Sequence, residues 1–226
     1  MIYSGHQLSF CPWLGYWKKV FASDYFDVNI YDQFTKRTWI HYTYIGNKDK
    51  LIKWKLPVED EYIEHSTSYA IKDVKVKKNF AEDMLRQFYD VHYMDKYFEY
   101  MYPLLCEWLR SVEKLGNLWE INLILMEKIY NLLQMQTKLV CLPNFSETDD
   151  ASLKIAKQAE TMRCDTYLSG PHGATYLNMK PFEERNISVV FQSTSELYKL
   201  YPQSILSVLS QYGITVTLDI LKNDKN

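Results

Sequence analysis

"MIYSGHQLSFCPWLGYWKKVFASDYFDVNIY", residues 1–31, decides the fold. Residues 1–6 (MIYSGH) make a short buried strand closed by Gly5. Over residues 13–23 the spacing turns helical, with Trp13, Tyr16, Trp17, Val20 and Phe21 on one side and Lys18 and Lys19 turned away. Residues 26–31 (FDVNIY) alternate as a second strand. Strand, helix and strand within about thirty residues predict a βαβ unit, because parallel neighbours need a crossover between them.

Working outward, residues 38–45 (TWIHYTYI) and 51–58 (LIKWKLPV) alternate around GNKD at 46–49, which predicts a β-hairpin added at a sheet edge. Residues 80–136 carry apolar side chains at helical spacing, broken at Pro103 and around Gly116-Asn117, and predict an insertion of two or three helices. Strands follow at 138–142 (KLVCL), 166–169 (TYLS) and 187–191 (ISVVF). Asp150 caps a helix over 150–163, and a last helix over 204–212 is stopped by Gly213. The expectation is one α/β domain over residues 1–226, with a mainly parallel, Rossmann-like sheet, an edge hairpin and a helical insertion at about 80–136.

Composition narrows the class. The chain has 226 residues, 47% of them hydrophobic, enough for one sizeable core. Its net charge of −2 gives no broad electrostatic footprint for nucleic acid, so DNA is not an expected partner. No apolar run reaches the roughly 18 residues of a membrane span, and no charged head precedes an apolar stretch at the N-terminus as in a signal peptide. Cys11, Cys106, Cys141 and Cys164 are scattered without a CxxC pair, which predicts free thiols in a reducing cytoplasm and no metal site.

Three stretches could carry chemistry. His6-Gln7 stands just past the carboxyl end of the first strand, where open α/β sheets place ligands. YDQFTKRTW, residues 31–39, ends the second strand and sets Asp32 and Gln33 beside Lys36 and Arg37. Alone it is a polar turn; beside His6 it makes a crevice holding an acid, an amide, an imidazole and cations. YLSGPHGATYL, residues 167–177, has glycines that free its backbone N–H groups for an anion, although it lacks GxGxxG and the P-loop pattern. Trp13 and Tyr16, spaced i, i+3, fit a core as well as a site. His65, His92 and His172 stand in polar or helical surroundings with no partner, and His172 is expected at the surface.

Taken together, HQLSFCPWLGYWKKV, YDQFTKRTWIHYTYI, KWKLPV, YLSGPHGATYL and SILSVLSQYG resemble the WbqC-like family in order and approximate spacing, over nearly the whole chain. The first motif matches at His6, Gln7, Pro12, Trp13, Gly15, Tyr16 and Lys19, and the second at Asp32, Gln33, Phe34, Lys36, Trp39 and His41. The glycine turn matches at Ser169, Gly170, Gly173, Tyr176 and Leu177. Leu8, Tyr42 and Ser207 depart from the family's proline, arginine and acidic residue.

The resemblance implies transfer of an aminoacyl group, such as glycyl, to the amine of a nucleotide-linked amino sugar in bacterial surface-polysaccharide (O-antigen) biosynthesis. The alternative is a non-catalytic module that holds the nucleotide sugar or a partner of that pathway. In the transferase, His6 or His41 serves as base, with Asp32 in the catalytic group. Gln7, Gln33 and the Ser169-Gly170 turn face the oxyanion, and Lys19 and Lys36 the diphosphate. Trp13, Tyr16 and Tyr176 complete the substrate contacts. The donor is a carrier-protein thioester, an aminoacyl-tRNA or a free acid activated by ATP. A weaker likeness, to HxGH-type nucleotidyltransferases, adds ATP with magnesium as a candidate cofactor at the first strand, although the chain has no HxGH.

Overall fold

A computed structural model describes residues 1–143 and 150–223. In chain order the elements are β1 (Ile2–Gln7), α1 (Leu14–Phe21), β2 (Tyr25–Asn29), β3 (Tyr42–Asn47), β4 (Lys50–Lys55), α2 (Asp60–Glu64), α3 (Ala81–His92), α4 (Phe98–Val112), α5 (Leu118–Leu132), β5 (Lys138–Val140), α6 (Ala151–Thr161), β6 (Thr166–Ser169), α7 (Lys180–Glu183), β7 (Ser188–Phe191), α8 (Ser195–Leu200) and α9 (Ile205–Asn223). The fold is α/β. Five strands pair in parallel in the order β5-β2-β1-β6-β7, with His6 opposite Val28 and Gln7 opposite Asn29. The chain fills the sheet from β1 outward on one side and then on the other, so the strand order reverses between β1 and β6. That reversal is where open α/β sheets leave a crevice at the carboxyl ends of their strands.

Successive side chains of a strand point to opposite faces, and both faces here are covered. Phe26 and Val28 join α1, α3, α4, α5 and α9 in the larger hydrophobic cluster. Tyr3 and Tyr167 join Ala156, Ala159, Phe182 and Ile187 in a smaller one, under α6 and α7. Asp150 caps α6 as expected, its carboxylate accepting from Leu153 N at 2.8 Å. All four cysteines are free thiols.

Several expectations need correction. The hairpin β3–β4 is its own two-stranded sheet rather than an edge of the large one. Helix packing claims its apolar side instead: Trp54 is buried against Phe88, and its indole N–H donates to Met84 O at 3.0 Å. Pro103 lies inside α4, and the chain breaks at residues 93–97 between α3 and α4. Lys18 and Lys19 do not turn away: Lys18 Nζ donates to Ser193 O at 3.4 Å, just before α8, Lys19 Nζ reaches Gly5 O on β1, and both are only 5% exposed. Finally, Gly213 does interrupt the helix after residue 204, as expected, but that helix is not the last. Helix resumes after a kink there (φ 78°), which only glycine takes easily, and a Cβ would lie 2.8 Å from the Tyr97 ring.

Candidate functional site

A cavity of about 980 Å³ lies over the carboxyl ends of β1, β2 and β6, at the reversal of strand order. His6, Gln7, Trp13, Tyr16, Lys19, Asp32, Gly170 and Tyr176 all line it, although they come from distant parts of the chain.

His6 belongs to β1 itself rather than to the loop beyond it. Its Nδ1 lies 3.1 Å from Gln7 O, an acceptor only, so Nδ1 carries the proton and Nε2 keeps its lone pair. The ring meets Tyr16 edge-on at 5.2 Å. Burial, and then the charge of Lys19, lowers its pKa to about 4. The ring has surface open to the cavity, so cavity water softens the effect of burial, but the direction leaves the imidazole neutral at pH 7.

Lys19 reaches in from α1, its Nζ donating to Gly5 O at 2.7 Å, and burial holds its pKa down to about 8. Between that value and the 10.5 of an unperturbed lysine, the unfolded chain binds more protons than the folded one. Stability contributed through Lys19 therefore rises with pH across that window. Replacing it with an uncharged side chain should remove this slope. In denaturant unfolding at pH 8 and pH 10, wild type should gain stability relative to Lys19→Met; equal slopes would mean the amine is solvated.

Asp32 is aimed by an Asx turn. Asn29 Oδ1 accepts from Tyr31 N (2.8 Å) and Asp32 N (3.1 Å), while Asn29 Nδ2 donates to Asp32 Oδ1 (2.9 Å). Trp13, Trp39 and Tyr198 form an aromatic lip, with centroids 6.1 and 5.3 Å from Trp13. Trp13 lies flat over Gly15, where a Cβ would stand 2.3 Å from ring atoms.

The structure leaves four candidates outside. His41 is buried, edge-on to Phe34 and Tyr42; its Nδ1 has no partner, and burial lowers its pKa to about 4. Phe34 plugs the core and turns its neighbours outward, so Gln33 donates to Thr67 O and Lys36 is exposed away from the cavity. Ser169 is buried under the glycine turn, its hydroxyl donating to Gly170 O at 3.1 Å. Gly173 packs on it so closely that a Cβ would collide with Ser169 Oγ.

His172 is exposed, as expected, and also lines the cavity rim. His92, expected to have no partner, has partners on both nitrogens, Asp95 Oδ2 at 2.6 Å and Ser207 Oγ at 2.9 Å, and Gly46 N donates to the same Oγ. This has the order of a Ser-His-Asp triad, but His92 and Ser207 have no exposed surface and the cavity does not reach them. It ties the end of α3 to α9 and the hairpin turn.

Sequence reasoning missed Asp27. It lies in β2, is 2% exposed, lines the cavity, and accepts from Leu142 N (2.8 Å), Gln158 Nε2 (3.4 Å) and Tyr3 OH (3.5 Å). Burial pushes its pKa up to about 6. The available signal was a carboxylate inside an otherwise buried strand, FDVNIY. Among the described residues no three His, Cys, Asp or Glu side chains stand together as metal ligands. Magnesium riding on ATP phosphates would find single carboxylates here, Asp32 and Asp27, and magnesium commonly binds in that way.

A model of the WbqC-like protein family matches residues 7–219, and the chain belongs to that family. It is similar to an uncharacterized protein of Mycobacterium tuberculosis, 22% identical over 192 residues that cover 82% of this chain and 79% of the relative. No solved structure matches. Among the described residues no helix is long and apolar enough to cross a membrane.

Proposed function

We propose that this WbqC-like protein is a cytoplasmic aminoacyltransferase of bacterial surface-polysaccharide biosynthesis. It joins an aminoacyl group, glycyl for example, to the amine of a nucleotide-linked amino sugar. One observation carries the reading: the imidazole of His6, neutral and with Nε2 free, opens into a large cavity at the strand-order reversal. An amine attacking an acyl carbon must lose a proton as the N–C bond forms and the leaving group departs. Nε2 of His6 takes that proton. The cavity has the volume for a nucleotide sugar together with a short acyl donor. Trp13, Trp39 and Tyr198 offer faces for a base or sugar ring, and Lys19 and Arg37 offer charge for the diphosphate.

Mass spectrometry tests this directly. A nucleotide-linked amino sugar is incubated with the protein and, in turn, a glycyl thioester on a carrier protein, glycyl-tRNA, and glycine with ATP and magnesium. The expected product is heavier than the acceptor by one glycyl group. Binding of the nucleotide sugar with no adduct from any donor would favour a non-catalytic holding module.

A further inference from the structure

We propose that the wall of the cavity beneath α6 is an ammonium subsite, in which the Asp27 carboxylate, with the Tyr3 ring beside it and the Tyr167 ring beyond, receives the α-ammonium of the aminoacyl donor. The choice of donor rests on the acyl-transfer reading above; the subsite rests on geometry. The three groups that donate to Asp27 are all neutral, and among the described residues no cation lies within ion-pair distance of it. A buried carboxylate without a counter-charge is costly to keep ionised, and its raised pKa records that. A cation entering from the cavity would supply the missing charge.

The wall is built to admit one. Gly5 lies opposite Asp27 across the β1–β2 pair, and a Cβ there would stand 3.1 Å from Asp27 Cβ and 3.7 Å from Tyr3 OH. The missing side chain leaves the approach to the carboxylate open. Tyr3 and Tyr167 both line the cavity, with centroids 6.1 Å apart, and aromatic rings attract cations.

Chemistry then separates two amines. The acceptor amine must be neutral to attack, whereas an amine paired with a carboxylate stays protonated and has no lone pair to offer. Asp27 therefore suits the amine that must not react, the donor's own. Alternation along β1 puts His6 on the opposite face from Tyr3 and Gly5, so the two amines would be held on either side of the strand end. Such a site selects aminoacyl over plain acyl donors and keeps the donor from condensing with itself.

The test uses glycinamide and its uncharged isostere propionamide as probes, with affinities read by NMR titration at neutral pH. Wild type should bind glycinamide about tenfold more tightly or better, as expected for a charge-assisted contact. In Asp27→Asn the preference should fall to within about twofold, with propionamide affinity unchanged. Equal affinities in wild type, or a preference that survives in Asp27→Asn, would overturn the subsite. Should that variant not fold, wild type decides. Contacts from the glycinamide methylene to the Tyr3 and Tyr167 ring protons support the subsite, while contacts to Trp13 and Trp39 alone, or no binding, overturn it. Selective binding without any transfer would sink the transferase and keep the subsite; transfer with an unchanged donor KM in Asp27→Asn would do the reverse.

Discussion

His6→Ala should lower turnover of the aminoacyl transfer by about 10²–10⁴-fold, the range that a positioned general base contributes. The loss should be in kcat, because the ring acts on the proton of the attacking amine while the aromatic lip and Lys19 hold the ligand without it. His6→Gln should be as poor, since an amide accepts a hydrogen bond from the amine but cannot take its proton. His6 has surface open to the cavity, so circular dichroism should find both variants folded. His41 is the control. Its ring is buried between Phe34 and Tyr42, outside the cavity, so His41→Ala should lower stability and leave turnover close to wild type. Near-normal turnover in His6→Ala with a collapse in His41→Ala would mean that the base was assigned to the wrong ring. Normal turnover in both would leave a site that works by positioning alone.

The parallel sheet was legible because its signal is local. The apolar run of residues 1–6, the helical spacing from Trp13 and the alternation from Phe26 each lie within a few residues, and crossover geometry turns the three into a βαβ unit. Contacts over longer range were not legible. Lys19 belongs, by pattern, to the outer face of an amphipathic helix, but its amine reaches Gly5 O on β1 and lies 5.9 Å from the ring of Tyr167, almost 150 residues later, and it is buried there. His92 shows no partner in sequence beyond its own turn, since Ser207 reaches it only through the docking of α9. At the site, motif order brought forward His6, Asp32 and the glycine turn. It could not separate Asp32, which an Asx turn aims inward, from Gln33 and Lys36, which the anchoring of Phe34 turns outward. Asp27 escaped for the opposite reason. It stands in no motif, and its importance comes from burial beside a cavity.

Trp54→Ala should destabilise the fold by about 3–5 kcal/mol, the usual range for deleting a large aromatic side chain from a core. Trp54 is the single buried residue of β4, whose five other side chains are exposed. Its ring packs 5.1 Å from Phe10 and 5.9 Å from Phe88, and its N–H is bonded to Met84 O. One side chain therefore pins the hairpin to α3 and to the loop that follows His6. Removing it opens a hole bounded by three elements that their other contacts hold apart, so the hole cannot close fully. Set against a typical total of roughly 5–15 kcal/mol, the loss is large. For a chain of this size each kcal/mol moves Tm by roughly 2–4 °C, so a drop of roughly 6–20 °C is expected in calorimetry. Trp54→Phe should fall well short of that, because it keeps a ring in the hole and loses mainly the N–H bond, about 0.5–1.5 kcal/mol. Leu51→Ala, exposed on the opposite face of the same strand, should stay within about 0.5 kcal/mol. A loss below about 1 kcal/mol for Trp54→Ala would mean that the hairpin is not held by this contact. The loop after His6 would then need another anchor, and Phe10 N, which donates to Trp39 O at 3.0 Å, is the next contact that could supply it.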